Sequence, residues 1–126
     1  MRKPYRKLHY AFRLYILSNG KRVLGKGGAQ ILDGIDRLGS LTATAKSLKM
    51  SYRFVWRYIR RTEDRLGEPV IVTRRGGKRA EERKGGGGAE LTPAGKNLLS
   101  DYRAVEKKLQ NQITSTGRKR LLPKRR

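Results

Sequence analysis

In 126 residues the chain sets 32 Lys plus Arg against 10 Asp plus Glu, a formal net charge of +22, and that one-sided excess implies a polyanionic partner, nucleic acid ahead of an anionic membrane surface. With no cysteine and a single histidine, His9, neither a disulfide, a zinc site nor a Ser-His-Asp arrangement is expected. No run approaches the roughly 20 apolar residues of a membrane span, and no apolar run follows the basic N-terminus as it does in a secretory leader.

Residues 1–7, MRKPYRK, read as a basic arm. Leu8, Tyr10, Phe12, Leu14 and Ile16 then alternate with other residues, the period of a strand running to Leu17. Asn19-Gly20 is a strong hairpin-turn dipeptide, and RVLG returns as the second strand. From Gly28 the apolar spacing becomes helical at Ile31, Leu32, Ile35 and Leu38, with Gly39 placed to stop the helix. SLTATAKSLKM predicts a short second helix that buries Leu41, Ala45 and Leu48, with Thr42 as N-cap.

After a turn at Lys49-Met50, Ser51 is placed to cap a third helix from about Tyr52 to Leu66, ended by Gly67. PVIVTRR is a β-branched run and so a strand, and AELT is its short partner across the glycine-rich connection. Thr92-Pro93 opens a long helix, Thr as N-cap and Pro at the first helical position. GRKRLLPKRR, with six basic residues in ten, reads as a disordered tail.

The order helix, helix, tight turn, helix, hairpin, long helix is that of a winged helix-turn-helix. The expected fold class is therefore α+β, mainly α with small β-hairpins: a winged helix-turn-helix with an N-terminal β-hairpin and a long C-terminal helix. Its expected divisions are an arm at 1–7, the DNA-binding domain at 8–92, a dimerisation helix at 93–113 and a basic tail at 114–126.

The third helix carries the candidate site. Val55, Ile59, Thr62 and Leu66 form one mostly apolar stripe for the core. Tyr52, Arg53, Trp56, Arg57 and Arg60 lie away from it, and Ser51 opens the helix. In a DNA major groove, arginines bond guanine edges or clamp phosphates, and aromatic rings pack on sugars or thymine methyls. Thr42 and Thr44, at the start of helix two, are added as DNA-contact candidates.

These stretches carry a resemblance. LGKGGAQILDGIDRLGSLTATAKSLKMSYRFVWRYIRR, followed by the glycine run and AELTPAG, resembles the N-terminal DNA-binding domain of ModE-type, molybdate-responsive regulators, and more distantly the winged helix of LysR-type regulators. It covers roughly residues 8–105 and implies a dimeric winged helix whose third helix reads the major groove. Family members carry a molybdate-binding module of oligobinding-like strands that no segment of this sequence matches, so oxyanion sensing is not carried over. Two further departures are KRAEERK, which lengthens the wing, and Lys49, which stands where the family usually has a glycine in the turn.

The run GGGG, residues 85–88, is not a Walker loop, because no Lys-Ser/Thr follows it. It falls within a hairpin bearing Arg74, Arg75, Lys78, Arg79, Arg83 and Lys84, where the amides of Gly86 and Gly87 could approach phosphates closely. Glu81 and Glu82 argue the other way, since phosphates repel carboxylates. Leu98, Tyr102, Val105 and Leu109 recur at heptad-like spacing and form the expected homodimer seam.

The function expected is double-stranded DNA binding by a dimeric transcription regulator, cytoplasmic and nucleoid-associated. The alternatives are a sequence-independent architectural protein of the nucleoid and, less favoured, an RNA-binding protein. No paired carboxylates, nucleophile with its base, or metal ligands emerge, so no enzyme activity, cofactor, metal or small-molecule effector is expected.

Overall fold

The computed structural model describes residues 9–74 and 88–121, with side chains as far as residue 116. The first hairpin joins β1 (Ile16–Ser18) to β2 (Lys21–Leu24), with a register irregularity between Ile16 and Leu17. Asn19 (φ 50°) and Gly20 (φ 78°) are both left-handed, as a two-residue turn matched to strand twist requires. The strand expected from Leu8 shrinks to three residues for want of a partner. β2 has only four residues before the chain enters a helix, so residues 9–15 find no ladder. They still reach the core, for the Tyr102 hydroxyl donates to the Leu14 carbonyl at 3.3 Å.

α1 (Lys26–Leu38) ends at Gly39 (φ 65°), whose N–H bonds to the Ile35 carbonyl. α2 (Leu41–Leu48) is capped by Ser40 rather than Thr42: Ser40 Oγ accepts from the Ala43 N–H at 3.0 Å. The cap needs extended backbone, which Ser40 has (φ −156°), whereas Thr42 already lies inside the helix. Lys49 closes α2 at φ 57°, in the left-handed region where a Cβ is penalised.

α3 (Tyr52–Leu66) begins at Ser51, whose Oγ accepts from Phe54 N–H at 3.0 Å, and ends at Gly67. The second hairpin pairs β3 (Ile71–Thr73) with β4 (Ala89–Leu91), Ile71 opposite Leu91 and Thr73 opposite Ala89. α4 (Pro93–Leu121) starts as expected, Thr92 Oγ1 accepting from Gly95 N–H at 3.0 Å. It runs on past residue 113, so the boundary expected there falls inside a continuous helix. No proline interrupts the chain between Pro93 and Leu121.

The core lies where α1, α2 and α3 meet the hairpins and the first turns of α4. Ile31, Leu32 and Ile35 meet Val55 and Ile59 from α3, Val70 and Leu91 from the second hairpin, and Leu98, Leu99 and Tyr102 from α4. Each such aliphatic side chain contributes about 1.5–3 kcal/mol by leaving water. Gly34 lets α2 come close, since a Cβ there would sit 2.6 Å from Thr44 Cγ2. Asp33 ties α1 to α4 by pairing with Arg37 and with Arg103, an exposed arrangement of small energetic weight.

Candidate nucleic-acid interface

α3 is held on both flanks by hydrogen bonds. On one, Tyr58 Oη accepts from Gly25 N–H at 3.1 Å, Thr62 Oγ1 donates to the Val23 carbonyl at 2.9 Å, and Arg65 Nη1 donates to the Arg22 carbonyl at 2.8 Å. On the other, Glu63 Oε2 accepts from Val70 N–H at 2.8 Å and from Ile71 N–H at 3.4 Å. The first hairpin and the base of the second are thus fixed to the same helix. Val55, Ile59 and Thr62 are buried and Leu66 packs on the core, as the stripe predicts.

The face opposite the core carries Arg53, Arg57 and Arg60, all exposed, with Arg61 beside them. Among the described residues the ion pairs are those of Asp33, so none of these four guanidinium groups has a carboxylate partner. Tyr52 and Phe54 keep about half their surface in water, 52% and 49%. Trp56 is half-buried and packs on the core, with the Arg60 guanidinium 5.3 Å from its ring centre. The indole therefore anchors α3 as well as supporting a cation.

Three candidates are corrected by burial. Thr44 is 0% exposed; its hydroxyl donates to the Ser40 carbonyl at 2.8 Å and its methyl faces Gly34. It cannot touch a partner, whereas Thr42, two residues earlier and on the other side of α2, is exposed. Leu98 and Tyr102 are buried in the protomer's own core at 7% and 2% exposure. Only Val105 and Leu109, 45% and 39% exposed, remain of the proposed seam.

In the wing, Arg74 is exposed; its N–H bonds to the Gly88 carbonyl at 2.8 Å, and its guanidinium lies across Gly88. Arg75, Lys78, Arg79, Arg83, Lys84, Gly86 and Gly87 lie outside the described residues. Phe54 was missed in the sequence, although its position one residue before Val55 already turns it about 100° from the core stripe. Arg61 and Arg65 were missed because their neighbour, the first hairpin, is far away in sequence.

Among the described residues, four helices with two antiparallel hairpins, and a tight turn joining α2 to α3, define a winged helix-turn-helix domain. The chain belongs to the bacterial regulatory helix-turn-helix proteins of the lysR family, whose model matches residues 29–96. It is 34% identical over 92 residues to the molybdenum-pterin-binding protein MopB of Rhodobacter capsulatus, covering 73% of this chain and 32% of that protein. Over 84 residues it is 32% identical to the molybdenum transport protein ModE of Azotobacter vinelandii, covering 67% and 29%. The chain thus spans about a third of the length of these relatives, and the ModE-type resemblance holds for that part.

Among solved structures, the CbnR_DBD-DNA complex superposes with a TM-score of 0.55 at 23% identity, over 76% of this chain and 97% of that one. ArgP from Mycobacterium tuberculosis gives 0.51 at 19%, over 74% and 32%. At such identities the likeness establishes the fold.

Proposed function

We propose that the domain binds duplex DNA as a homodimer and regulates transcription on the bacterial nucleoid. In this reading α3 enters the major groove, with the second hairpin lying along the backbone as a wing. The observation that carries it is the outer face of α3: Arg53, Arg57, Arg60 and Arg61 with no carboxylate partner among the described residues, beside half-exposed Tyr52 and Phe54. Leaving that face in water has no structural return, whereas base edges and phosphates supply the missing acceptors. Val105 and Leu109, exposed beyond the core on α4, are the contact offered to a second copy. A two-fold dimer then sets its two α3 helices about one DNA turn apart, roughly 34 Å.

The test is selection of bound duplexes from a random pool at about 150 mM salt. A two-fold site with half-sites about one turn apart is expected, and Arg57→Ala is expected to lose preference for it. The net charge of +22 favours a second reading, architectural binding with little sequence preference. About eight neutralised phosphates per protomer would give a salt slope near −7. A pool that stays flat despite tight binding selects that reading.

A further inference from the structure

A cleft of about 710 Å³ opens between residues 10–15, β2, the second half of α3 and α4. Arg13, Arg22, Lys26, Arg61 and Arg65 line it, and among the described residues Glu106 is the one carboxylate in the lining. None of the five cations has a carboxylate partner among the described residues. Two of them lie over aromatic rings: the Arg22 guanidinium is 4.1 Å from the Tyr15 ring centre and that of Arg61 is 5.1 Å from that of Tyr58. A ring beneath a guanidinium restricts the side chain without neutralising its charge, so its N–H donors can still serve a phosphate.

The place of the cleft on α3 decides what phosphate it meets. At about 100° per residue, Glu63 and Arg65 flank the buried stripe of α3, and Arg57 and Arg61 lie in the outer arc of about 200° that runs between them on the opposite side. Glu63 is bonded to the base of the second hairpin and Arg65 to the first. α3 is therefore bracketed by two hairpins, one on each side of its arginine face. A major groove is about 12 Å wide and a helix with side chains fills about 10–12 Å of it, so a sugar-phosphate backbone rises on both sides. The wing accounts for one of those backbones.

We infer that the cleft of the first hairpin, with Arg22 and Arg61 at its centre, is a second phosphate-binding surface that grips the DNA backbone on the side of α3 away from the wing. This rests on the reading of α3 as the groove-entering helix. The contact is independent of sequence, because phosphates carry no base identity.

The experiment compares the full chain with Arg22→Gln/Arg61→Gln and Arg22→Lys/Arg61→Lys on one selected duplex, reading the salt dependence of affinity and interference by phosphate ethylation. Loss of two phosphate contacts lowers the slope of log affinity on log salt by about 2, so that binding weakens roughly fifteenfold less between about 50 and 200 mM salt. Interference should vanish only on the flank away from the wing, and the lysine pair, which keeps charge without the planar fork, should restore the slope. If the glutamine pair binds the duplex with unchanged slope and interference, the inference falls and α3 stands as the reader. If the unaltered chain retains no duplex, the reading of α3 falls with it. Saturation of the cleft by inorganic phosphate alone, seen as shifts at Tyr15 and Tyr58, with the DNA slope indifferent to the glutamine pair, would assign the site to a free phosphate ester and overturn the DNA contact.

Discussion

Glu63 joins α3 to the base of the second hairpin, and removing its carboxylate tests whether α3 positions that hairpin for binding. Its Oε2 accepts from Val70 N–H at 2.8 Å and from Ile71 N–H at 3.4 Å. Only the shorter contact has the geometry to carry much energy. A hydrogen bond to a charged group is worth about 1.5–3 kcal/mol, and a stranded buried N–H costs about 1–3 kcal/mol. Val70 is 0% exposed, so its amide has no ready replacement from water. Glu63→Ala is therefore expected to cost about 2 kcal/mol. Glu63→Gln keeps an acceptor oxygen without the charge and should cost about half as much. Both variants remove the same negative charge from α3, so any electrostatic gain in DNA affinity is common to the two. Their difference isolates the hairpin. Urea unfolding supplies the stabilities, provided the slope m is unchanged, and titration of one duplex supplies the affinities. The alanine variant should be less stable by about 1 kcal/mol and bind the duplex more weakly than the glutamine variant. Equal stabilities, or tighter binding by the alanine variant, would refute the reasoning.

Gly95→Ala should destabilise the fold by about 1–3 kcal/mol or more, because the added Cβ lies 2.2 Å from the Val70 carbonyl oxygen, backbone that cannot swing aside; thermal unfolding reads the loss. Lys49→Gly should do the reverse, adding about 1 kcal/mol by removing a Cβ from the left-handed turn, and a fall in urea midpoint would count against it. Val105→Glu/Leu109→Glu should shift sedimentation from dimer to monomer while each protomer keeps its helical signal; an unchanged mass rules out that seam. Burial first, then the Glu106 carboxylate and Tyr58 and Tyr15, hold the Tyr102 phenol above its ordinary 10.0. The folded pKa exceeds the unfolded one, so this stability is fully present below about pH 10 and is lost as the pH rises through the folded value. Tyr102→Phe should flatten that alkaline fall in the urea midpoint.

What the sequence made legible is what local chemistry decides. Ser51, Gly67 and Thr92-Pro93 mark helix ends because a cap acts on amides or carbonyls within one turn of itself. Asn19-Gly20 marks its turn for the same reason. The errors arise where a second element intervenes. Alternation from Leu8 suggested a long strand, but a strand forms only as far as its partner, and β2 is four residues long. Thr44 looked like an accessible hydroxyl, and only the close approach of α1 at Gly34 hides it. Leu98, Tyr102, Val105 and Leu109 share one helical stripe, and a stripe has the same period whether it covers a core or a second helix. The end of the core, between Tyr102 and Val105, is set by where α4 leaves the domain.

The arrangement of charge says more than its total. No acidic residue occurs from Arg37 to Thr62, a stretch that spans α2, the turn and the first two-thirds of α3. Two of the carboxylates that flank it have structural work: Asp33 pairs with Arg37 and Arg103, and Glu63 holds the Val70 and Ile71 amides where β3 begins. A general solubilising surface would mix both signs along every exposed face. Here the negative groups stop where the helix-turn-helix begins and resume where α3 is anchored to the second hairpin. Such segregation leaves the turn and the outer face of α3 as far as Arg61 without an acid, as a polyanion would require, and the first carboxylate on that face is Asp64 in the last turn. The same logic extends to the first hairpin, where Arg22 and Arg61 rest on tyrosine rings instead of carboxylates. Those rings order the cations without neutralising them, which keeps the charge available to a phosphate.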